Sequence, residues 1–262
     1  MNNILILGKP GTGKTTFLTN LYGIYNEKHI FDRNPDMLKD FSILFDEEDS
    51  TSLKQNYKLI KKNESVQPTV AYQEFKCQLI EGKDLVIEFT LCDNKGGITR
   101  RLDWGGHTEW IQKLIDLIPN DTNGSGDDGY FFNAVVFFYD CNDFKESGEI
   151  YIDRPEIKKQ LAVLDDVARN ANKPVYIVFT KKDCITNEEI NFIEDAFSDA
   201  QRTDSYINKI FLQINDATPK NRGKILVPIV YILRRLYLNG EHPNVELAEK
   251  LRYFGMRISN LN

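Results

Sequence analysis

Apolar residues along this chain follow two periods. The unbroken runs Ile4–Leu7, Ala134–Tyr139 and Pro174–Phe179 predict strands covered on both faces, and Ile210–Ile214 continues the series. Phe75–Ile80 and Leu85–Cys92 are strand-like and are separated by Glu81-Gly82-Lys83-Asp84, which predicts a hairpin. Helical spacing governs Lys14–Tyr22, Trp110–Leu117, Glu188–Ala200 and Val245–Arg257. It also governs Pro155–Asn170, which places Ile157, Leu161, Leu164 and Val167 on one face. Gly223–Leu238 predicts a helix with Pro228 in its first turn. The stretch from Gly23 to Glu64 is polar. It carries two weaker helical patterns, Asp36–Phe45 and Thr51–Lys61, around the acidic cluster Asp46-Glu47-Glu48-Asp49. A solvated turn accounts for that cluster better than a metal site does. Asn120–Gly129 is a loop by composition.

Continuous apolar strands alternating with amphipathic helices predict an α/β fold. The expected sheet is mostly parallel and six-stranded, with one antiparallel strand and helices on both faces. Ligands of such sheets bind beyond the carboxyl ends of the strands. The loops after Leu7, Cys92, Phe179 and Ile214 are therefore expected at one edge. One domain over residues 1–240 follows, with an insertion at about 23–66, a flexible loop at about 119–130, and a helical extension at 241–262.

Bulk properties narrow the function classes. The chain has 262 residues, 41% of them hydrophobic and 27% charged, an ordinary soluble composition. A net charge of -6 argues against a general nucleic-acid binder, whose footprint would be basic. Cys77, Cys92, Cys141 and Cys184 lack CxxC spacing and are all expected to be small buried hydrophobes in a reducing compartment. The apolar run Ile225–Leu233 is too short to span a bilayer. With no leader and no lipidation signal in view, a cytoplasmic protein without a membrane anchor is expected.

The sharpest chemistry lies at the first strand. Gly8-Lys9-Pro10-Gly11-Thr12-Gly13-Lys14-Thr15 matches the phosphate-binding loop pattern in full. Its glycines permit a tight turn and let backbone N–H groups approach phosphate oxygens. Lys14 is placed to reach the β- and γ-phosphates, and Thr15 offers a hydroxyl to Mg²⁺, with Thr16 next to it on the helix. The helix N-terminus adds its positive end. Background composition produces such a string in roughly one chain in a hundred. Here it also follows a strand and opens a helix, the context that the motif requires.

Thr180-Lys181-Lys182-Asp183 follows the strand Pro174–Phe179. A carboxylate at Asp183 can accept both the N1–H and the exocyclic amine of guanine, and the stem of Lys181 can cover the base face. With these residues the chain resembles the Ras-like branch of P-loop GTPases (the TRAFAC superfamily) from Ile4 to about Leu238. Their guanine motif is Asn or Thr, Lys, any residue, Asp. Asn215-Asp216-Ala217-Thr218 resembles the family's last guanine-contacting loop, which implies that the Ala217 N–H meets guanine O6, with Thr218 beside it.

The resemblance also implies a magnesium shell. Thr69, ahead of the hairpin, looks like the switch I threonine that coordinates Mg²⁺ and senses the γ-phosphate. Asp93-Asn94-Lys95-Gly96 is the favoured Asp-x-x-Gly motif, and Asp103-Trp104-Gly105-Gly106-His107 is the rival. Ras-like enzymes place glutamine directly after the motif glycine, whereas Gly97 follows Gly96 here. His107 is then the candidate for orienting water, with a surface-loop histidine as its alternative. Arg33, Arg100 and Arg101 are ordinary surface charges until one is shown to be a catalytic finger.

The expectation is a GTP-hydrolysing switch of low intrinsic rate that binds GTP and GDP with Mg²⁺. A protein effector or regulator would read the switch regions and the 23–66 insertion. Two alternatives stay open: a guanine-nucleotide module that does not hydrolyse, and a P-loop ATPase or kinase.

Overall fold

The computed structural model describes residues 2–26, 41–67, 73–81, 84–93, 132–146, 149–152, 154–169, 173–201, 207–213, 219–239 and 243–259. Its strands are β1 (Asn2–Gly8), β2 (Phe41–Phe45), β3 (Gln73–Glu81), β4 (Asp84–Asp93), β5 (Ala134–Asp140), β6 (Lys145–Glu146), β7 (Glu149–Ile150), β8 (Val175–Thr180) and β9 (Asn208–Phe211). Its helices are α1 (Lys14–Asn26), α2 (Thr51–Lys61), α3 (Arg154–Arg169), α4 (Asn187–Ala200), α5 (Pro219–Asn239) and α6 (Val245–Ser259). The predicted Trp110–Leu117 helix and the Asn120–Gly129 loop lie outside the described residues.

Seven strands form one sheet in the order β2-β3-β4-β1-β5-β8-β9. β1 runs parallel to β4 and β5, and the parallel pairing continues through β8 to β9. β3 is antiparallel to both β2 and β4, so it alone opposes the rest. The α/β class and the single antiparallel strand are as predicted. Among the described residues the sheet has seven strands rather than six, because Phe41–Phe45 is a strand where a helical pattern was read.

The reason for that correction is tertiary. The antiparallel partner β3 presents a row of backbone donors and acceptors, and Phe41–Phe45 pairs with it from Phe41 opposite Glu81 to Phe45 opposite Cys77. Strand alternation then buries Ile43 and turns Leu44 outward. A weak helical pattern cannot compete with a hydrogen-bonded edge. Asp46 ends this strand, and its Oδ1 accepts from the Glu48 N–H at 2.9 Å, which makes the acidic cluster a turn. The helix at Thr51–Lys61 has the predicted bounds.

Two cores sandwich the sheet. Alternate residues of β1 face opposite sides: Ile4 and Ile6 join α1, α2, α5 and α6, while Leu5 and Leu7 join α3 and α4. All of β5 and β8 is buried, as unbroken apolar runs require. On α3 the predicted face of Ile157, Leu161, Leu164 and Val167 is buried. Gly23 in α1 marks where α2 crosses, since a Cβ there would lie 2.1 Å from the Tyr57 ring. Two boundaries shift. β9 ends at Phe211, and the Leu212 N–H then donates to Phe179 O at 2.7 Å. Pro228 lies in the interior of α5, and Pro219 opens that helix. Burial of Ile225, Leu226, Ile229 and Val230 around Pro228 outweighs the lost backbone bond. The β6–β7 hairpin had no counterpart in the apolar pattern. Cys77, Cys92 and Cys141 are buried as expected, but Cys184, in the turn after β8, is exposed.

Candidate functional site

The carboxyl end of β1 builds the phosphate loop. Gly8 has φ +147°, and a Cβ there would sit 2.6 Å from Phe138 O on β5 and 2.9 Å from Thr12 Oγ1. No other residue fits. Gly11 and Gly13 have φ of +82° and +84°. Pro10 and Gly11 form the exposed apex. Lys9 O gathers the loop inward: it accepts from Thr12 Oγ1 and from Lys14 Nζ, both at 2.8 Å, and from the Thr12 N–H at 3.3 Å. The same Lys14 ammonium donates to Gly8 O at 2.8 Å. Phe17 N–H to Gly13 O, at 2.8 Å, starts the helical ladder, with Thr15 and Thr16 half-buried in its first turn.

Lys14 is buried, and burial pushes its ammonium down to about 8; nearby Asp93 pulls the other way. Asp93 ends β4 beside Ile6 of β1 and is 1% exposed. A buried carboxylate and the Thr15 hydroxyl, flanking one lysine, are the hard oxygen donors that Mg²⁺ takes alongside phosphate and water. The donor set therefore fits the ion. Among the described residues no group of three or more His, Cys, Asp or Glu side chains could hold a metal ion without such help.

β8 builds the second loop. Thr180 is 1% exposed and pairs with Asp140 of β5. Its hydroxyl lies 2.8 Å from Thr12 O and 3.1 Å from Tyr139 O, so it reaches directly into the phosphate loop. Lys181 adopts a left-handed backbone (φ 56°, ψ 39°), rare for a residue with a Cβ and concentrated at functional sites. Lys182–Cys184 is a single tight turn that leaves Asp183 exposed. The Lys182 N–H donates to Leu212 O at 3.3 Å, which brings the end of β9 to the same edge. Thr186 then caps α4 through a reciprocal bond pair with Glu189.

The structure thus brings together Gly8–Thr16, Asp93 and Thr180–Asp183. Thr69, Gly96, Asp103, His107, Ala217 and Thr218 lie outside the described residues, as do Arg33, Arg100 and Arg101.

The sequence reading left out the loop after β5. Asp140 is buried there, with Oδ2 in an ion pair with Lys181 and Oδ1 accepting from the Asn142 N–H at 2.9 Å. Asp143, three residues on, pairs with Lys9 of the phosphate loop at 3.3 Å. A carboxylate closing an apolar strand that neighbours the phosphate-loop strand was the available signal.

A phosphate-loop pattern between the first strand and the first helix, on a mostly parallel sheet with helices on both faces, defines a P-loop α/β fold. No family model and no curated protein matches the chain. Solved structures that resemble it include a bacterial selenocysteine-specific elongation factor, EF-Sec, at 12% identity and TM-score 0.41, over 89% of this chain and 29% of that one. The GTP-bound GTPase-like domain of S. cerevisiae Ski7 matches at 16% identity and TM-score 0.41, over 100% and 50% of the two chains. Translation elongation factor SelB from Methanococcus maripaludis, with the GTP analogue GppNHp, matches at 16% and 0.35, over 82% and 31%. The chain spans between about a third and half of the length of these proteins. At such scores the strand order and the two loops, rather than the superpositions, support the fold.

Proposed function

We propose that this chain binds GTP with magnesium and hydrolyses it to GDP and phosphate as a nucleotide-dependent switch. The observation that carries the reading is the hydrogen bond between Thr180 Oγ1 and Thr12 O, 2.8 Å long. It couples the phosphate loop to a loop whose exposed carboxylate, Asp183, suits the two adjacent donors of guanine. Adenine offers no such pair.

In this reading the backbone N–H groups of the phosphate loop and the start of α1 hold the phosphates. Lys14 exchanges two carbonyl partners for phosphate oxygens, and its desolvated ammonium gains a full anionic partner. Thr15, Asp93 and Thr69 would hold the magnesium, which would supply charge neutralisation to the phosphates. Lys181 covers the base, Asp183 reads its edge, and Ala217 and Thr218 complete its pocket. Thr69 and the Asp93–His107 region report the nucleotide state to a protein effector or regulator. His107 orients the attacking water. The expected setting is the cytoplasm.

One residue favours a second reading. Gly97 stands where Ras-like enzymes carry the water-orienting glutamine, and a guanine-nucleotide module without turnover follows from it. Single-turnover hydrolysis of bound GTP separates the two. Phosphate release above background supports the enzyme, whereas bound GTP that persists unchanged overturns it. Titration with fluorescent GDP and ADP addresses the base, and equal affinity would remove the role given to Asp183.

A further inference from the structure

We propose that Asp140 is the positioning residue of the base loop, pinning the Lys181 ammonium so that the lysine stem is held as a platform for the nucleotide base. This rests on the nucleotide-binding reading above. Four observations lead to it. Asp140 closes β5 in register with Thr180, so its carboxylate arrives one residue from Lys181. Its side chain is 9% exposed, and it forms the ion pair with the Lys181 ammonium. The left-handed backbone at Lys181 fixes the other end of the stem. The Lys181 side chain nonetheless remains 39% exposed, two residues from Asp183.

A lysine stem is ordinarily a loose chain of rotors, and ordering it on binding costs entropy. Held at both ends, this one is an apolar strip ordered before the base arrives, so a base that stacks on it loses less freedom on binding. Asp140 also has a local duty, because its Oδ1 caps the turn Cys141–Phe144 through Asn142 N–H. The two duties are separable. Asp140→Asn keeps an oxygen for the cap and removes the charge from Lys181. Lys181→Met keeps an apolar stem and removes the pin.

The test is a double-mutant cycle on nucleotide release. Wild type, Asp140→Asn, Lys181→Met and the double variant are loaded with a fluorescent GDP and chased with unlabelled nucleotide. The same chase with fluorescent ADP identifies which base the wild type retains longer, and the cycle is scored on that nucleotide. Each single variant is expected to release about 10-fold faster, within the range for coupled charged contacts. The double variant should release no faster than Lys181→Met alone. Multiplied effects in the double variant, or an unchanged rate in Asp140→Asn, would overturn the pin. Lys181→Arg gives a second check with Asp140 intact: it restores a cation opposite Asp140 and should release more slowly than Lys181→Met, and release as fast as Lys181→Met would also overturn the inference. Longer retention of ADP would sink the guanine reading while the cycle still decides Asp140.

Discussion

In the phosphate loop the working lysine closes on its own backbone. Lys14 donates to Gly8 O and Lys9 O, six and five residues away, and no other strand supplies a partner in those bonds. In the base loop the corresponding lysine closes on a side chain from another strand, since Lys181 pairs with Asp140 across 41 residues of sequence. The first device is local and is set by glycines and one lysine in a short string. The second exists only when β5 and β8 lie in register. Burial follows the same division: Lys14 is buried and desolvated, while Lys181 keeps its stem at the surface. On the proposed reading, a sequestered cation suits a phosphate charge and an exposed stem suits an apolar base.

Experiments on the two loops should differ in kind as well as size. Replacing Lys14 with Ala removes the one buried cation of the phosphate loop among the described residues. Nucleotide affinity should fall by about 100-fold or more, measured by titration with fluorescent GDP. A loss under about 5-fold would break the assignment of phosphate binding to this loop. Asp183→Asn acts at the opposite end. It should weaken GDP by roughly 100-fold and favour xanthine nucleotides, because a group built to accept two hydrogen bonds then presents a donor. Unchanged selectivity would take Asp183 out of the site.

Lys14 gives the phosphate loop a pH response of its own. Lys14 is held at about 8 against an ordinary 10.5, so between these values the unfolded chain binds the extra proton. Stability of the nucleotide-free protein therefore gains from Lys14 as pH rises from about 8 to 10.5, by at most about 3 kcal/mol. Lys14→Met should erase that rise in denaturant titrations, and Lys181→Met should not. Nucleotide affinity should move the other way, declining above about pH 8 as the ammonium is lost.

Thr180→Val tests the link between the loops. The hydroxyl is buried, so its removal should cost about 1–3 kcal/mol of stability and speed nucleotide release. A normal midpoint in thermal unfolding together with normal release would show that the two loops are independent. The smallest effect belongs to Asp143→Ala. Its bridge to Lys9 joins side chains that are 36% and 31% exposed, and such a pair contributes under about 1 kcal/mol. Release rates within about 2-fold of wild type are expected.

The contrast between the loops also explains what could be read from the chain. Gly8–Thr15, the buried strands β1, β5 and β8, and the face of α3 were legible because each depends on residues within a few turns of one another. The Thr180–Asp183 string was legible as chemistry, but its tie to Thr12 was not. Phe41–Phe45 was misread, since only pairing with β3 makes it a strand. Pro228 was misplaced, since the length of α5 follows from burial against the sheet.

By itself the sequence determined the phosphate loop, the α/β layering and the candidate base-reading string, because backbone conformation and periodic burial are local properties. The tertiary structure decided the seventh strand, the meeting of Thr180 with Thr12, and the place of Asp140 under Lys181. Those depend on strand register, which sets residues far apart in the chain side by side and has no short-range signature.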